Sequence, residues 1–188
     1  MNTLPLSRTN ILLRSRHIKE DIAMRLEKAF SQYGFAEPSV AQLKTACNVS
    51  LRTLYRHYSS KEMMVVGALE YRHQRYLDFL LDESPPAGTA AILHIFNKLE
   101  QWMEEFAPHG CLSINAIAAF PDDPIINNLV QAHKQDVQDF LGQQSQRDDL
   151  ATAIFLLHEG VSNAWPVLGK SASLSAQTVL LQLLGDEK

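Results

Sequence analysis

VSLRTLYRHYSSKE, residues 49–62, packs three signals into fourteen residues. Ser50 is a helix N-cap, because its hydroxyl can accept a bond from an orphan N–H of the first turn. Leu54 and Tyr58 stand four apart, so both can face one core. Arg52, Thr53, Tyr55, Arg56 and His57 are left on the outside, and all can donate hydrogen bonds to phosphates or base edges. A second start follows at once, where Ser59 and Glu62 have the S-x-x-E spacing of a capping box. A short helix that is donor-rich on one face and buried on the other suits the major groove of DNA.

Upstream, the pattern stays helical. Residues 1–8 read as a loose arm. Ile18, Ile22, Leu26, Ala29, Phe30 and Tyr33 recur at helical spacing, and Gly34 stops that first helix. Pro38-Ser39 opens a second helix with Val40, Leu43 and Cys47 on its inner face, and Cys47-Asn48 makes the turn into the quoted stretch. A third helix covers about 50–57 and a fourth about 60–82, where Ser84-Pro85-Pro86 ends it.

Downstream, the period does not change. A fifth helix over roughly 88–106 carries Ile92, Ile95, Phe96, Leu99, Trp102, Met103 and Phe106 on one broad face. The segment from Cys111 to Phe120 is nearly all apolar and is expected to be buried on most sides. Asp123 caps a helix through about 144, Asp148 or Asp149 opens another reaching Leu168, and a last one spans about 175–184. With no credible strand, the fold class is all-α, about nine helices, with residues 1–61 as a helix-turn-helix DNA-binding domain and 62–188 as a larger helical domain.

Composition agrees with this division. The whole chain carries a net charge of −4, but residues 1–61 hold ten Lys/Arg against four Asp/Glu, a net of +6, and the rest carries −10. A basic head on an acidic body is the footprint of a nucleic-acid module joined to a different function. No run of about 18 apolar residues or signal-peptide pattern is present. Two cysteines, Cys47 and Cys111, with no C-x-x-C, fit a reducing cytoplasm and give no zinc ribbon. Catalytic signatures such as G-x-S-x-G, P-loop, G-x-G-x-x-G and H-E-x-x-H are missing, and His94, His109, His133 and His158 fall on different elements. Neither an enzyme, a cofactor nor a metal is expected.

Residues 17–62 resemble the DNA-binding domain of the TetR family of transcriptional regulators. The resemblance is carried by Phe30, Tyr33-Gly34-Phe35, the helix from Ser39, Val49-Ser50, Thr53-Leu54-Tyr55, His57-Tyr58 and Ser60-Lys61-Glu62, in that order and spacing. It departs at Leu43-Lys44, where the family usually has Ile-Ala, at Cys47-Asn48 for Ala-Gly, and at Tyr58, where Phe is commoner. Asn tolerates a left-handed backbone, so Asn48 can still turn the chain. Lys44 either snorkels from the core or adds a phosphate contact. A buried Tyr58 needs a partner for its hydroxyl.

The resemblance implies roles. Leu51, Arg52, Thr53 and Arg56 match positions that approach base edges, and Ser39, Tyr55, His57 and Lys61 match those that hold the phosphate backbone. It also implies a homodimer through the last two helices, whose stripes are Ile154, Leu157, Val161, Ala164, Trp165, Leu168 and Val179, Leu180, Leu183, Leu184. A near-palindromic operator follows from that symmetry. The body is expected to enclose a small apolar or amphipathic effector, with Trp102, Met103, Phe106, Asn115, Phe120, His133, Phe155 and His158 as lining. Plain core remains the alternative for each aromatic, and a satisfied buried imidazole for each His. Control by a protein partner or by oxidation of Cys111, and a helical binding protein that no longer binds DNA, are the other readings.

Overall fold

A computed structural model describes residues 8–185, with side chains from residue 15 onward. Among the described residues there are nine α-helices: α1 (Arg8–Tyr33), α2 (Val40–Ala46), α3 (Leu51–His57), α4 (Lys61–Leu81), α5 (Thr89–Glu105), α6 (Leu112–Ala119), α7 (Pro124–Ser145), α8 (Ala151–Leu168) and α9 (Lys170–Gly185). A 3-10 turn, Asp148–Leu150, leads into α8. No described helix is long and apolar enough to cross a membrane. The expected N-terminal arm lies outside the described residues apart from Arg8, where α1 begins. Two compact units divide within α4, one ending at Arg72 and the other beginning at His73.

In the first unit, Ile22, Leu26, Phe30, Leu43, Leu54, Met64 and Leu69 are buried to within 1%. The α2–α3 corner is built by local chemistry. Ser39 and Gln42 close a capping box at the start of α2, where each side chain satisfies an orphan backbone donor. Asn48 takes the left-handed conformation, φ 53°, that turns the chain toward α3. Ser50 then caps α3, its Oγ accepting from Thr53 N at 3.0 Å. Tyr58 is buried and its hydroxyl donates to the Lys19 carbonyl at 3.2 Å, which supplies the partner its burial requires. Its ring lies against Gly67, the α4 residue whose missing side chain makes the space. A buried ion pair joins Arg72 to Glu27.

Some expectations shift. The cap of α4 is Ser60, whose Oγ accepts from Met63 N at 3.2 Å; Ser59 stands one residue too early for that bond. Tyr33 and Ile18 sit at the edge of the α1 stripe and are exposed, because a 3.6-residue period drifts away from the core over a long helix.

The core of the second unit gathers Leu80, Ile92, Ile95, Phe96, Leu99, Trp102, Met103, Val137, Leu141, Ile154, Val161, Trp165, Leu180 and Leu184. The α5 face is as the periodicity requires. Asp123 caps α7, its Oδ1 accepting from Ile125 N and Ile126 N. Segment α6 corrects a prediction: only Leu112 and Ala116 are buried, while Ile114, Asn115, Ala118 and Ala119 are exposed. It packs chiefly on α7, which covers one face. Helix α9 starts at Lys170, earlier than its apolar pattern suggests, since Gly169 at φ 52° breaks α8 and the polar residues after it continue helically.

Candidate DNA-reading face and interior polar chain

Helix α3 is anchored by Leu54, fully buried, and by Tyr58 at its C-cap. At 100° per residue this leaves Leu51, Tyr55, Arg52 and Arg56 on one arc, and all four are exposed. Thr53 and His57 are half-buried on its flank. The Thr53 hydroxyl is already engaged, 2.8 Å from Ser50 Oγ. Burial, with Arg56 and Lys19 nearby, holds the His57 imidazole below its ordinary pKa, so the neutral ring offers one N–H.

The nominated backbone-holding residues come from three further places. Ser39 is exposed at the N-cap of α2, its hydroxyl shared with the Gln42 side chain. Lys61, at the start of α4, donates to the Ala36 carbonyl at 3.2 Å. Lys44 is half-buried in the last turn of α2, a place where a cation also meets the negative end of the helix dipole.

In the second unit, polar groups form a continuous chain through an aromatic surround. Lys134 Nζ lies 2.7 Å from both Glu159 carboxylate oxygens and 3.3 Å from Cys111 Sγ. His158 Nδ1 is 3.1 Å from Glu159 Oε1, and His158 Nε2 pairs with the Tyr76 hydroxyl. Burial alone would raise the Glu159 pKa, but the His158 hydrogen bond and the Lys134 ammonium outweigh it and hold it at about 2. Burial likewise opposes charge on Lys134, yet Cys111 and Glu159 raise its pKa. Burial keeps His158 neutral. A carboxylate only accepts, so the His158 proton sits on Nδ1 and Nε2 receives the Tyr76 O–H.

Beside this chain, His133 stacks on His73 with ring centroids 4.0 Å apart and planes 7° from parallel. Burial and the neighbouring His73 push the His133 pKa down to about 4. Its Nδ1 is buried without a hydrogen-bond partner among the described residues, while His73 Nε2 meets Asp136 Oδ2 at 3.1 Å. No described group of three His, Cys, Asp or Glu could hold a metal ion.

Of the residues nominated as effector lining, Trp102, Phe106, Phe155 and His158 come together around Tyr76 and Phe79. Met103 belongs to the buried core, Asn115 is exposed on α6, and Phe120 is half-buried at its C-cap. Sequence reasoning missed Tyr76, Phe79, Lys134 and Arg75, whose guanidinium lies 4.7 Å from the Trp102 ring and 4.5 Å from Phe106. Tyr76 and Phe79 share a face of α4 and could have been found from its periodicity; Lys134 carries no such signal. An open groove of about 660 Å³ in the first unit, lined in part by Tyr33, Pro38, Ala41 and Leu43, contains none of the nominated effector residues.

A capped recognition helix on a basic three-helix head is a helix-turn-helix DNA-binding unit. The family model described as bacterial regulatory proteins, tetR family, matches residues 26–68. Solved structures share the fold over nearly the whole chain. A TetR-family transcriptional regulator from Streptomyces coelicolor superposes with a TM-score of 0.78 at 19% identity, over 91% of this chain and 96% of its own. A TetR regulator from Chloroflexus aurantiacus gives 0.72 at 17% identity, covering 92% and 96%. The reduced form of Escherichia coli NemR gives 0.71 at 19%, covering 88% and 96%. No curated protein matches the chain. Residues 26–68 thus match the family model of TetR regulators, and the chain as a whole shares the all-α fold of the solved TetR structures.

Proposed function

We propose that this regulator is a homodimeric, cytoplasmic repressor that holds a near-palindromic operator and is released by a small apolar or amphipathic ligand bound in its second unit. The observation that carries DNA reading is the exposed arc Leu51, Arg52, Tyr55 and Arg56 on a helix anchored on its opposite side by the fully buried Leu54. Arg52 pairs bidentately with guanine, a contact worth about 1–3 kcal/mol of discrimination. Tyr55, His57, Lys61, Ser39 and Lys44 hold the phosphates on either side.

Dimerisation is supported by the outward faces of the last two helices. Leu156, Gly160, Asn163 and Val167 repeat at four-three-four spacing on α8, and Leu174, Thr178, Leu181 and Gly185 repeat likewise on α9. All eight are exposed, Val167 at 85% and Leu156 and Leu174 at 63%. A stripe of this period, apolar or small and uncharged, is what a four-helix bundle between two copies needs. The stripes named from the sequence mostly turn inward: Ile154, Val161, Trp165, Leu180 and Leu184 are buried, whereas Leu168 and Val179 are exposed.

Helix α4 belongs covalently to both units, so a ligand that favours one spacing of the two heads acts on operator affinity through it. Its affinity must differ between the two states, because tight but equal binding shifts nothing. A second reading is favoured by one contact. The Lys134 ammonium lies 3.3 Å from Cys111 Sγ, so oxidation of Cys111 disturbs the Lys134–Glu159 pair and takes the place of a ligand, and Cys111→Ser would then abolish oxidant-dependent release.

The test is selection from a randomised duplex library at two salt concentrations, with an Arg52→Ala/Tyr55→Ala variant beside the wild type. A near-palindrome enriched by the wild type alone, and weakened by salt, is expected. A folded dimer that enriches nothing would overturn the proposal.

A further inference from the structure

We infer that Leu51 reads the 5-methyl group of a thymine in each half-site and thereby sets one A·T position of the operator. The inference rests on the proposed placement of α3 in the major groove and adds to it the base class that this residue selects.

Leu51 is the first residue of α3 and is 46% exposed. The N-terminal residues of a recognition helix are those that reach base edges. Its neighbours on the exposed arc, Arg52, Tyr55 and Arg56, each end in a hydrogen-bonding group; Leu51 ends in two methyls. Leu51 stands three residues from the fully buried Leu54, yet nearly half of it is left in water, so the head's own core accounts for only part of its apolar character. In the major groove the base edges of guanine, cytosine and adenine present polar atoms at the floor, and thymine alone adds a methyl group. An isobutyl side chain there gains by covering that methyl and gains nothing from a phosphate. Thr53 also carries a methyl, but it is half-buried and its hydroxyl is tied to Ser50. Leu54 is wholly in the core. The methyl contact therefore falls to Leu51.

The experiment uses the full-length dimer and three randomised duplex libraries, made with ordinary nucleotides, with deoxyuridine replacing thymidine, or with 5-methylcytosine replacing cytosine. Leu51→Ala runs beside the wild type. Because Leu51 is exposed and at the first helical position, the variant keeps its fold, which far-UV circular dichroism checks. The wild type is expected to enrich thymine at one symmetric position. Removing the methyl should weaken binding about fourfold per half-site, the weight of one buried carbon group, and so about fifteenfold for both. In the third library, 5-methylcytosine should become acceptable at that position. Leu51→Ala should lose all methyl dependence there while keeping the preferences at other positions.

Unchanged selectivity with deoxyuridine, or an equal methyl dependence in Leu51→Ala, would overturn the role of Leu51 and leave DNA reading intact. Absence of enrichment by the wild type in every library would overturn both.

Discussion

Replacing Gly67 by Ala should destabilise the first unit, against the general tendency of Gly→Ala to strengthen a helix. In an open helical position that exchange gains about 1 kcal/mol. Here a Cβ on Gly67 would stand 2.2 Å from Tyr58 Cε1, 2.8 Å from Cζ and 2.9 Å from the hydroxyl oxygen. The ring cannot give way freely, because it is buried and its hydroxyl is bonded to the Lys19 carbonyl. Overpacking of this kind costs about 1–3 kcal/mol. Displacing the ring also forfeits a hydrogen bond of about 1 kcal/mol. These losses exceed the helical gain, leaving a net destabilisation of about 1–3 kcal/mol. In a Tyr58→Leu background the atoms that Cβ meets are gone, so Gly67→Ala should there stabilise by about 1 kcal/mol. The two substitutions should thus couple by about 2–4 kcal/mol in a double-mutant cycle. Urea unfolding at fixed protein concentration, followed by far-UV circular dichroism, measures it. Both tryptophans, Trp102 and Trp165, lie in the second unit, so intrinsic fluorescence separates the two units. A Gly67→Ala protein more stable than wild type, or equally affected with Leu at position 58, would refute the packing argument.

Glu27→Gln should cost about 3–5 kcal/mol, since it removes the negative charge from the buried ion pair with Arg72; the urea midpoint of the first unit reads the loss. Acid should weaken the second unit in two stages. His133 falls from 6.5 to about 4 on folding, so its contribution is complete above about pH 6.5 and drains away down to pH 4. Glu159 is depressed from 4.5 to about 2, so its contribution is present above pH 4.5 and is lost as pH falls toward 2. Fluorescence-detected unfolding across this range should show both stages, and His133→Gln should reduce the first, to which the lowered His73 and His158 also contribute. Leu156→Glu should give a monomer in sedimentation velocity and lower operator affinity by at least tenfold, because two half-sites no longer act together; a stable dimer would move the interface elsewhere.

The fold was legible because one rule, apolar residues every three to four positions, governs every long helix, and caps such as Ser39, Ser50 and Asp123 mark the breaks. It failed where burial depends on what lies opposite. The α6 segment is nearly all apolar, yet burial of Ile114 would need a second neighbour that composition cannot reveal. The outward stripes of α8 and α9 were hidden because both helices are apolar on two faces, and periodicity selects the stronger one. On the DNA-reading side, a seven-residue helix has few ways to point its side chains once Leu54 is buried, so the exposed arc followed from local spacing. The interior polar chain was harder. Lys134, Glu159 and Cys111 come from three segments, and a lysine in an amphipathic helix reads as solvent-facing until a half-buried carboxylate is found across from it.

Residues 150–185 contain only two charges, Glu159 and Lys170, and both are spoken for, by Lys134 and by Glu100 and Glu104. If the two copies meet through this face, nothing electrical guides them together. Their encounter is then unsteered and, between two acidic bodies, no faster than the ordinary 10⁵–10⁶ M⁻¹s⁻¹ of neutral surfaces, and only contour distinguishes a true partner from a related regulator in the same cell. Ionic strength acts on such a protein in opposite senses at its two ends: added salt loosens the basic head from DNA, while excluded salts such as sulfate tighten the apolar seam. On that arrangement DNA is released in high salt while the two copies stay together.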